Sequence, residues 1–196
     1  MKKTIINFVN LCLASMMLVG CDCCTDPSID IEYKLVCSKT LLEYATPQVA
    51  YTENGKEPII ISIAENEWEE VKDNDVASKT TIVINGDTIM REDKLVKWTK
   101  QVHYGDFSIV DDVMEVTYKP KETVKDITVS NDPFYHNLSA NLDFVDENGD
   151  RYSPTFISSE TNITIGKHMS LEELINSYKH RKGFHVESNG NYSQIK

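Results

Sequence analysis

The feature that most constrains the fold of this sequence is an alternation of apolar and polar residues with a period of two. It recurs in four runs, which extend from Ile31 to Ser38, from Val96 to Tyr104, from Met114 to Tyr118 and from Leu138 to Phe144. An extended chain with this pattern presents one apolar and one polar face. The alternation therefore predicts strands that bury one face, with the even-numbered residues of the last run pointing inward.

Turn signals separate these runs. Asn-Gly pairs stand at residues 54–55, 85–86 and 148–149, and each pair lies between two strand-like segments. Asn-Gly suits the positive φ angles of a tight hairpin turn. Two further runs, 59–64 and 82–84, are almost continuously apolar. They predict strands that are covered on both faces or that lie in the interior of a sandwich.

One stretch, at about residues 170–179, has a clear helical pattern. Ser170 and Glu173 have the spacing of a capping box, and Gly183 is expected to end the helix. One apolar face at helical spacing is formed by Leu171, Leu174, Ile175 and Tyr178. A single helical turn is also expected at residues 40–45.

These elements together predict a mostly β fold, an antiparallel immunoglobulin-like β-sandwich with one short helix near the C-terminus. Hydrophobic residues make up 40% of the chain and charged residues 26%, which is ordinary for a globular protein. No Pro/Gly/Ser-rich linker follows Pro27, and no repeat has a fixed period. We therefore expect residues 29–196 to form a single domain.

The N-terminus has the pattern of a targeting signal. Two lysines precede a mostly apolar stretch from Ile5 to Val19, which as a helix is about 22 Å long and too short for a hydrocarbon core of roughly 30 Å. The stretch ends in Leu-Val-Gly-Cys at residues 18–21, which resembles the lipobox of bacterial lipoproteins. The resemblance implies a signal peptide at 1–20, a lipid on Cys21 and a flexible tether at 21–28. The alternative is an uncleaved membrane anchor.

The net charge of −11 and a pI near 4.9 limit the partners of the chain. An acidic protein lacks the basic face that replaces counterions on phosphate, so we expect no nucleic-acid partner. Cleavage after residue 20 removes two lysines and no acid, which makes the mature chain still more negative. Anionic lipid head groups should repel such a surface, so contact with the membrane is expected through the lipid alone.

Three cysteines remain in the mature chain besides Cys21. The adjacent pair Cys23 and Cys24 fits disulfide geometry poorly, but Cys37 could bond either of them. The alternative is a set of free or variably oxidised thiols. The spaced pairs of a zinc site are missing, so we expect no metal there.

A motif from Cys37 to Gly55 reads Cys-Ser-x-x-Leu-Leu-x-Tyr-x-Thr-Pro-x-Val-x-Tyr-Thr-x-Asn-Gly. It resembles the opening of small β-sandwich envelope lipoproteins of Bacteroides and its relatives. The resemblance implies a lipid-anchored protein of the cell envelope, on either leaflet of the outer membrane. Asp87-Thr88-Ile89 is similar to the O-glycosylation acceptor of that group, with Thr88 as the candidate site. A plain turn before a strand is the alternative.

Motifs for catalysis are missing. We find no Gly-x-Ser-x-Gly elbow, no phosphate-binding loop and no His-Glu-x-x-His, and we expect no cofactor. The histidines, including His180 and His185, are interpreted as solvated or helix-capping. The acidic turn at 146–150 could bind calcium, but a simple acidic hairpin is favoured. The acids at 73–75 and 111–112 are interpreted as wet turns or edges.

Two tryptophans are candidates for contact with sugar rings. Trp68 lies among four glutamates and is expected near the surface, whereas Trp98 lies on an alternating apolar face and is expected in the core. The sequence thus favours a non-catalytic envelope module that binds a ligand or has a structural role. The alternative is a glycan-binding or glycan-active surface lipoprotein, and the expected partners are the membrane, other envelope proteins or a glycan.

Overall fold

The computed structural model describes residues 26–72, 79–84, 87–125, 127–129, 132–157 and 169–195. The described chain is mostly antiparallel β, as predicted, with two short helices. The helices are α1 (Leu41–Tyr44) and α2 (Leu171–Ser177). The strands are β1 (Ser28–Ser38), β2 (Ala45–Glu53), β3 (Ile59–Ile61), β4 (Glu69–Glu70), β5 (Lys79–Ile84), β6 (Asp87–Glu92), β7 (Leu95–Gly105), β8 (Ile109–Pro120), β9 (Thr128–Val129), β10 (His136–Val145), β11 (Arg151–Tyr152), β12 (Thr155–Ile157), β13 (Met169–Ser170), β14 (Lys179–Glu187) and β15 (Tyr192–Ile195).

Two larger sheets contain most of the strands. The six-stranded sheet has the order β11-β10-β1-β7-β4, with β12 also paired to β10, and the five-stranded sheet has the order β15-β14-β8-β2-β3. The remaining strands form the two-stranded sheets β5-β6 and β9-β13. In the six-stranded sheet, Ser28 at the start of β1 lies opposite both Val145 and Gly105. Long β1 is therefore an inner strand whose partners come from distant parts of the sequence.

Side chains from the two larger sheets share one core. The ring of Tyr33 in β1 lies 6.4 Å from that of Tyr51 in β2 and 6.2 Å from that of Phe184 in β14. Leu142 in β10 and Met114 in β8 are buried in the same cluster. The predicted inward face of β10 is confirmed, because Leu138, Ala140, Leu142 and Phe144 are all buried.

The apolar run at 59–64 is not covered on both faces, so that prediction was wrong. Ile59 is 57% exposed and Ile60 is 68% exposed. The reason is position, because β3 is an edge strand that pairs only with residues 49–51 of β2. Residues 82–84 do lie in a strand, but their side chains are outside the described part of the chain.

The α2 helix confirms the predicted capping box but ends earlier than expected. The Ser170 hydroxyl accepts the N–H of Glu173 at 3.1 Å, and the Glu173 carboxylate accepts the N–H of Ser170 at 3.0 Å. The chain leaves the helix at Tyr178 and enters β14, so Gly183 does not end the helix. A Cβ on Gly183 would lie 2.8 Å from Cγ2 of Val113, so this glycine permits close approach of β8 and β14.

Two of the three expected Asn-Gly turns lie within the described residues, and both contain positive φ angles. Asn54 and Gly55 have positive φ angles of 48° and 66°, and Gly149 has a φ of 85°, as their Asn-Gly pairs predicted. The pair at 85–86 is outside the described residues. The first strand begins at Ser28, so the last residue of the expected tether already belongs to the sheet.

Candidate functional site

A groove of about 730 Å³ lies beside Trp68, at one end of the two larger sheets. Its apolar lining consists of Leu42, Ala45, Pro47, Ile63, Trp68 and Val96. Its charged lining consists of Lys39, Glu43, Glu65, Glu70 and Lys121. The volume falls within the range of about 300–1,000 Å³ that is typical of small-molecule sites. The groove thus combines an aromatic wall with a rim of charges of both signs.

A single 3₁₀ turn at Glu65–Glu67 positions Trp68 at the groove. The Glu67 carboxylate accepts the N–H of Ala64 at 2.6 Å, and the N–H of Glu67 donates to the carbonyl of Ala64 at 3.0 Å. Trp68 follows immediately and leads into β4, which is hydrogen-bonded to β7. The segments before and after Trp68 are therefore both held by hydrogen bonds, and its indole is half-buried against the core.

The opposite side of the groove is formed by α1. A buried carboxylate, Asp93, accepts both the N–H and the hydroxyl of Thr40, at 3.2 and 3.0 Å, and so fixes the start of the helical turn. The ammonium of Lys121 donates to the carbonyl of Leu42 at 2.6 Å. These bonds hold Leu42 and Lys121 in place on the lining of the groove.

Glu70 is held in its ionised form at the rim. Its carboxylate lies 3.1 Å from the ammonium of Lys94 and 3.5 Å from that of Lys39. The hydrogen bond from Lys94, with the attraction of both cations, lowers the pKa of Glu70. A carboxyl group with a lowered pKa does not retain a proton near neutral pH, so it is poorly suited to act as a general acid.

The other candidate residues from the sequence lie apart from this groove. Trp98 is buried in the core at 6% exposure, as expected. Thr88 lies exposed in β6, in the two-stranded sheet with β5. Cys21, the candidate lipidation site, lies outside the described residues.

Asp112 was expected on a wet edge, and this prediction was wrong. Its carboxylate is completely buried between the two sheets and accepts hydrogen bonds from Tyr33, Tyr51 and Tyr104 at 2.5, 2.5 and 2.6 Å. Burial raises the pKa of Asp112, although the three phenols counteract the rise. The sequence could have indicated this position, because Asp112 lies two residues before Met114. The alternation of side chains along β8 therefore places both on the inward face.

His136 and His180 were expected to be solvated or helix-capping, and this prediction was also wrong. Both are buried, and Nδ1 of His136 in β10 lies 2.6 Å from Nε2 of His180 in β14. The bond therefore joins the two larger sheets. Burial, with the nearby charges of His136 and Lys182, lowers the pKa of His180 to about 4. His180 lies four residues before the inward-facing Phe184 in β14. The alternation of side chains along the strand could therefore have identified it as buried.

Further polar groups surround this pair of histidines. Asp132 accepts the hydroxyl of Tyr178 at 2.6 Å, and its other oxygen lies 3.9 Å from Nε2 of His136. Burial would raise the pKa of Asp132, but the hydrogen bonds from His136 and Tyr178 outweigh it and leave that pKa lowered. The ring of Tyr178 packs 3.9 Å from the ring of His136, centroid to centroid. The pair is thus enclosed by aromatic and acidic neighbours.

The remaining histidines that the structure describes lie at the surface, as expected. Nδ1 of His103 contacts Asp30 at 2.8 Å, and both side chains are exposed. Nδ1 of His185 lies 2.7 Å from Asp111. Hydrogen bonds to Asp111 and Glu187 raise the pKa of His185.

Cys37 is a free, completely buried thiol. Burial and the negative charge of Asp93 raise its pKa to about 12. The nearby Tyr118 hydroxyl is buried and has no hydrogen-bonding oxygen or nitrogen among the residues the structure describes. Cys23 and Cys24 lie outside the described residues. A disulfide between Cys37 and either of them therefore stays a prediction.

The acidic turn at 146–150 supports the simple hairpin rather than calcium. One oxygen of Asp146 accepts the N–H groups of Asn148 and Asp150, both at 2.9 Å. The carboxylate therefore binds peptide donors of its own turn. In the described ranges, no group of three or more Asp, Glu, His or Cys residues is placed to hold a metal ion.

Comparisons with known proteins give no relative from which a role could be transferred. Among the described residues, no helix has the length and apolarity needed to cross a bilayer. Searches against protein-family models, curated proteins and solved structures find no significant match to the chain.

Proposed function

We propose that this chain is a non-catalytic binding module, anchored by a lipid on Cys21 to the outer membrane of a bacterial cell envelope. In this proposal residues 29–196 form one immunoglobulin-like sandwich of the Bacteroides lipoprotein type, and the groove beside Trp68 takes the ligand. The support for the anchor is the lipobox-like sequence at 18–21. The support for the fold is the common core of the two antiparallel sheets.

The half-buried indole of Trp68 in a groove of ligand size is the observation that carries the proposal. A large aromatic ring of this kind gives contact area at a small cost in side-chain entropy. Its surroundings also favour binding over catalysis. Glu70 at the rim is ionised by its lysine contacts, and the buried Asp112 and His180 point into the core rather than into the groove.

Glycan binding is the second candidate function, and the composition of the groove favours it. A sugar ring has an apolar face that stacks on indole and hydroxyl groups that bond to charged side chains. The groove offers Trp68 for the first contact, and Glu43, Glu65 and Lys39 line the same space for the second.

Binding of oligosaccharides to the purified domain tests the groove. We expect Trp68→Ala to weaken binding at least about tenfold, since one lost aromatic contact is worth more than about 1.4 kcal/mol at a stacked site. The matched control is Tyr192→Ala, which removes an aromatic ring that is 44% exposed elsewhere on the surface. Equal binding by wild type and the Trp68 variant would exclude the groove as the site.

Metabolic labelling with a fatty acid tests the anchor separately. Wild type should incorporate the label, and Cys21→Ser should not, because the lipid is carried on a thioether. Equal labelling of both proteins would disprove lipidation at this residue.

A further inference from the structure

A second hollow, of about 710 Å³, adjoins the groove at β4. It lies on the outer face of the six-stranded sheet and is lined by Lys34, Glu69, Glu70, Val71, Lys72 and Lys97. Glu70 lines both the hollow and the groove, so the two spaces meet at this residue, two positions after Trp68. A ligand stacked on Trp68 can therefore extend past β4 onto the lysines.

Positive charge exceeds negative charge in this hollow. Lys97 lies 3.1 Å from the carboxylate of Glu69, and Glu70 is held by Lys94 and Lys39. Both acids of the hollow are thus neutralised by neighbouring lysines.

The other two lysines of the hollow, Lys34 and Lys72, have no ion-pair partner in the described part of the chain. Lys34 projects from β1 between Thr99 and Ser139, its neighbours on the adjacent strands. Within the residues that the structure describes, these two cations are therefore without an acidic partner, in a protein whose net charge is −11.

The positive region is limited in extent. Further along the same outer face, β1 and β10 present Asp30, Glu32 and Asp143. Asp143 is paired with Arg151 and Asp30 contacts His103, but the three acids still outnumber the one arginine. Asp30 and Asp143 lie directly opposite each other in the strand register. An anionic ligand would be repelled from that end of the sheet and held at the end next to Trp68.

We propose that the ligand of the Trp68 groove is an acidic saccharide, one that carries carboxylate or sulfate groups. The proposal rests on glycan binding at the groove. One sugar ring stacks on the indole of Trp68, and the acidic groups of the following residues pair with Lys34 and Lys72.

A chemically matched pair of probes tests the charge requirement. Oligogalacturonate carries one carboxylate on each sugar, and its methyl ester keeps the same sugar chain without the charge. We expect the acid to bind several times more tightly than the ester at low salt, and the difference to shrink as added salt screens the lysines.

Substitutions assign the charge effect to the hollow. Lys34→Gln and Lys72→Gln should each weaken binding of the acid by about two- to fivefold, or about 0.4–1 kcal/mol, as expected for an exposed ion pair, and leave binding of the ester unchanged. Lys56→Gln is the matched control, because Lys56 is an exposed lysine at the hairpin after β2. Trp68→Ala should weaken binding of both probes.

Each other outcome overturns the inference. Equal, Trp68-dependent binding of acid and ester would leave glycan binding in place but exclude an acidic specificity. Equal losses for the Lys34, Lys72 and Lys56 variants would show diffuse attraction instead of a site. A lack of binding by either probe, in wild type, would refute the acidic saccharide, and neutral oligosaccharides that still bind through Trp68 would then preserve the glycan function.

Discussion

Acidification should weaken the fold through the buried bond between His136 and His180. This bond needs one ring nitrogen with a proton and one without, so a proton on both facing nitrogens breaks it. The pKa of His180 is about 4 in the folded chain, against an ordinary value of 6.5, because burial and the charges of His136 and Lys182 disfavour its cation. The bond joins the two larger sheets, so its loss affects their contact.

The sign and size of the effect follow from the two pKa values. Above pH 6.5 neither the folded nor the unfolded chain binds a proton at His180, and its contribution to stability is complete. Between pH 6.5 and 4 the unfolded chain binds a proton that the folded chain does not, so the free energy of unfolding falls by about 1.4 kcal/mol per pH unit. The total loss from this residue is about 3 kcal/mol at pH 4.

Urea unfolding of wild type and His180→Gln, measured at intervals from pH 7.5 to 4, tests this reasoning. The glutamine amide reaches about as far as Nε2 but does not titrate. Other groups titrate in both proteins, so the difference between the two curves reports His180 together with its coupling to His136. We expect the variant to lose about 3 kcal/mol less than wild type across the window.

His185→Gln is the control with the opposite sign. Its carboxylate partners raise the pKa of His185, so that residue stabilises the fold at low pH, and the contribution is lost as the pH rises through its folded value. Removing it should therefore reduce stability most in acid. The same pH dependence for wild type and His180→Gln would refute the role of the histidine bond.

Three further predictions concern packing. Leu142→Ala should lower the free energy of unfolding by about 2–5 kcal/mol and Asn141→Ala by under about 0.5 kcal/mol, because only Leu142 is buried; similar losses in urea unfolding would contradict the register of β10. Cys37 should react with iodoacetamide only after unfolding, since its thiol is buried and its pKa is about 12; its modification in the native protein, detected by peptide mass spectrometry, would contradict the buried position. Gly183→Val should destabilise the protein by about 1–3 kcal/mol, because Cγ2 of Val113 leaves no room for a Cβ; an unchanged thermal midpoint would show that β8 and β14 can separate at little cost.

Much of the fold could be predicted because the alternation of apolar residues depends only on local sequence. Each strand with one buried and one wet face, such as β1 or β10, has this pattern over most of its length. The prediction from the apolar run fails at β3. Whether a strand is covered on both faces depends on its neighbours in the sheet, which the local sequence does not give. Ile59 and Ile60 have an interior composition but lie at an edge.

The polar groups in the core were missed for a different reason. Asp112 and His180 were interpreted as surface residues because their side chains are polar, although the alternation along their strands places them on the inward face. Each stands at an inward position of its strand, and each is tolerated there because hydrogen bonds to residues of the facing sheet satisfy it. The groove could not be predicted beyond Trp68, because Leu42, Val96 and Lys121 come from separate segments that only the fold brings together.

The strand order has a consequence for the way the chain reaches its native state. The first strand, β1, pairs on one side with β7 and on the other with β10. Ser28 can therefore pair only after Gly105 and Val145 have been synthesised. Native pairing that joins such distant segments closes large loops before it gains contacts, and proteins of this kind fold in roughly milliseconds to seconds. During synthesis β1 should remain unpaired until β7 emerges, with its apolar face exposed. We therefore expect the nascent chain to depend on a holding chaperone.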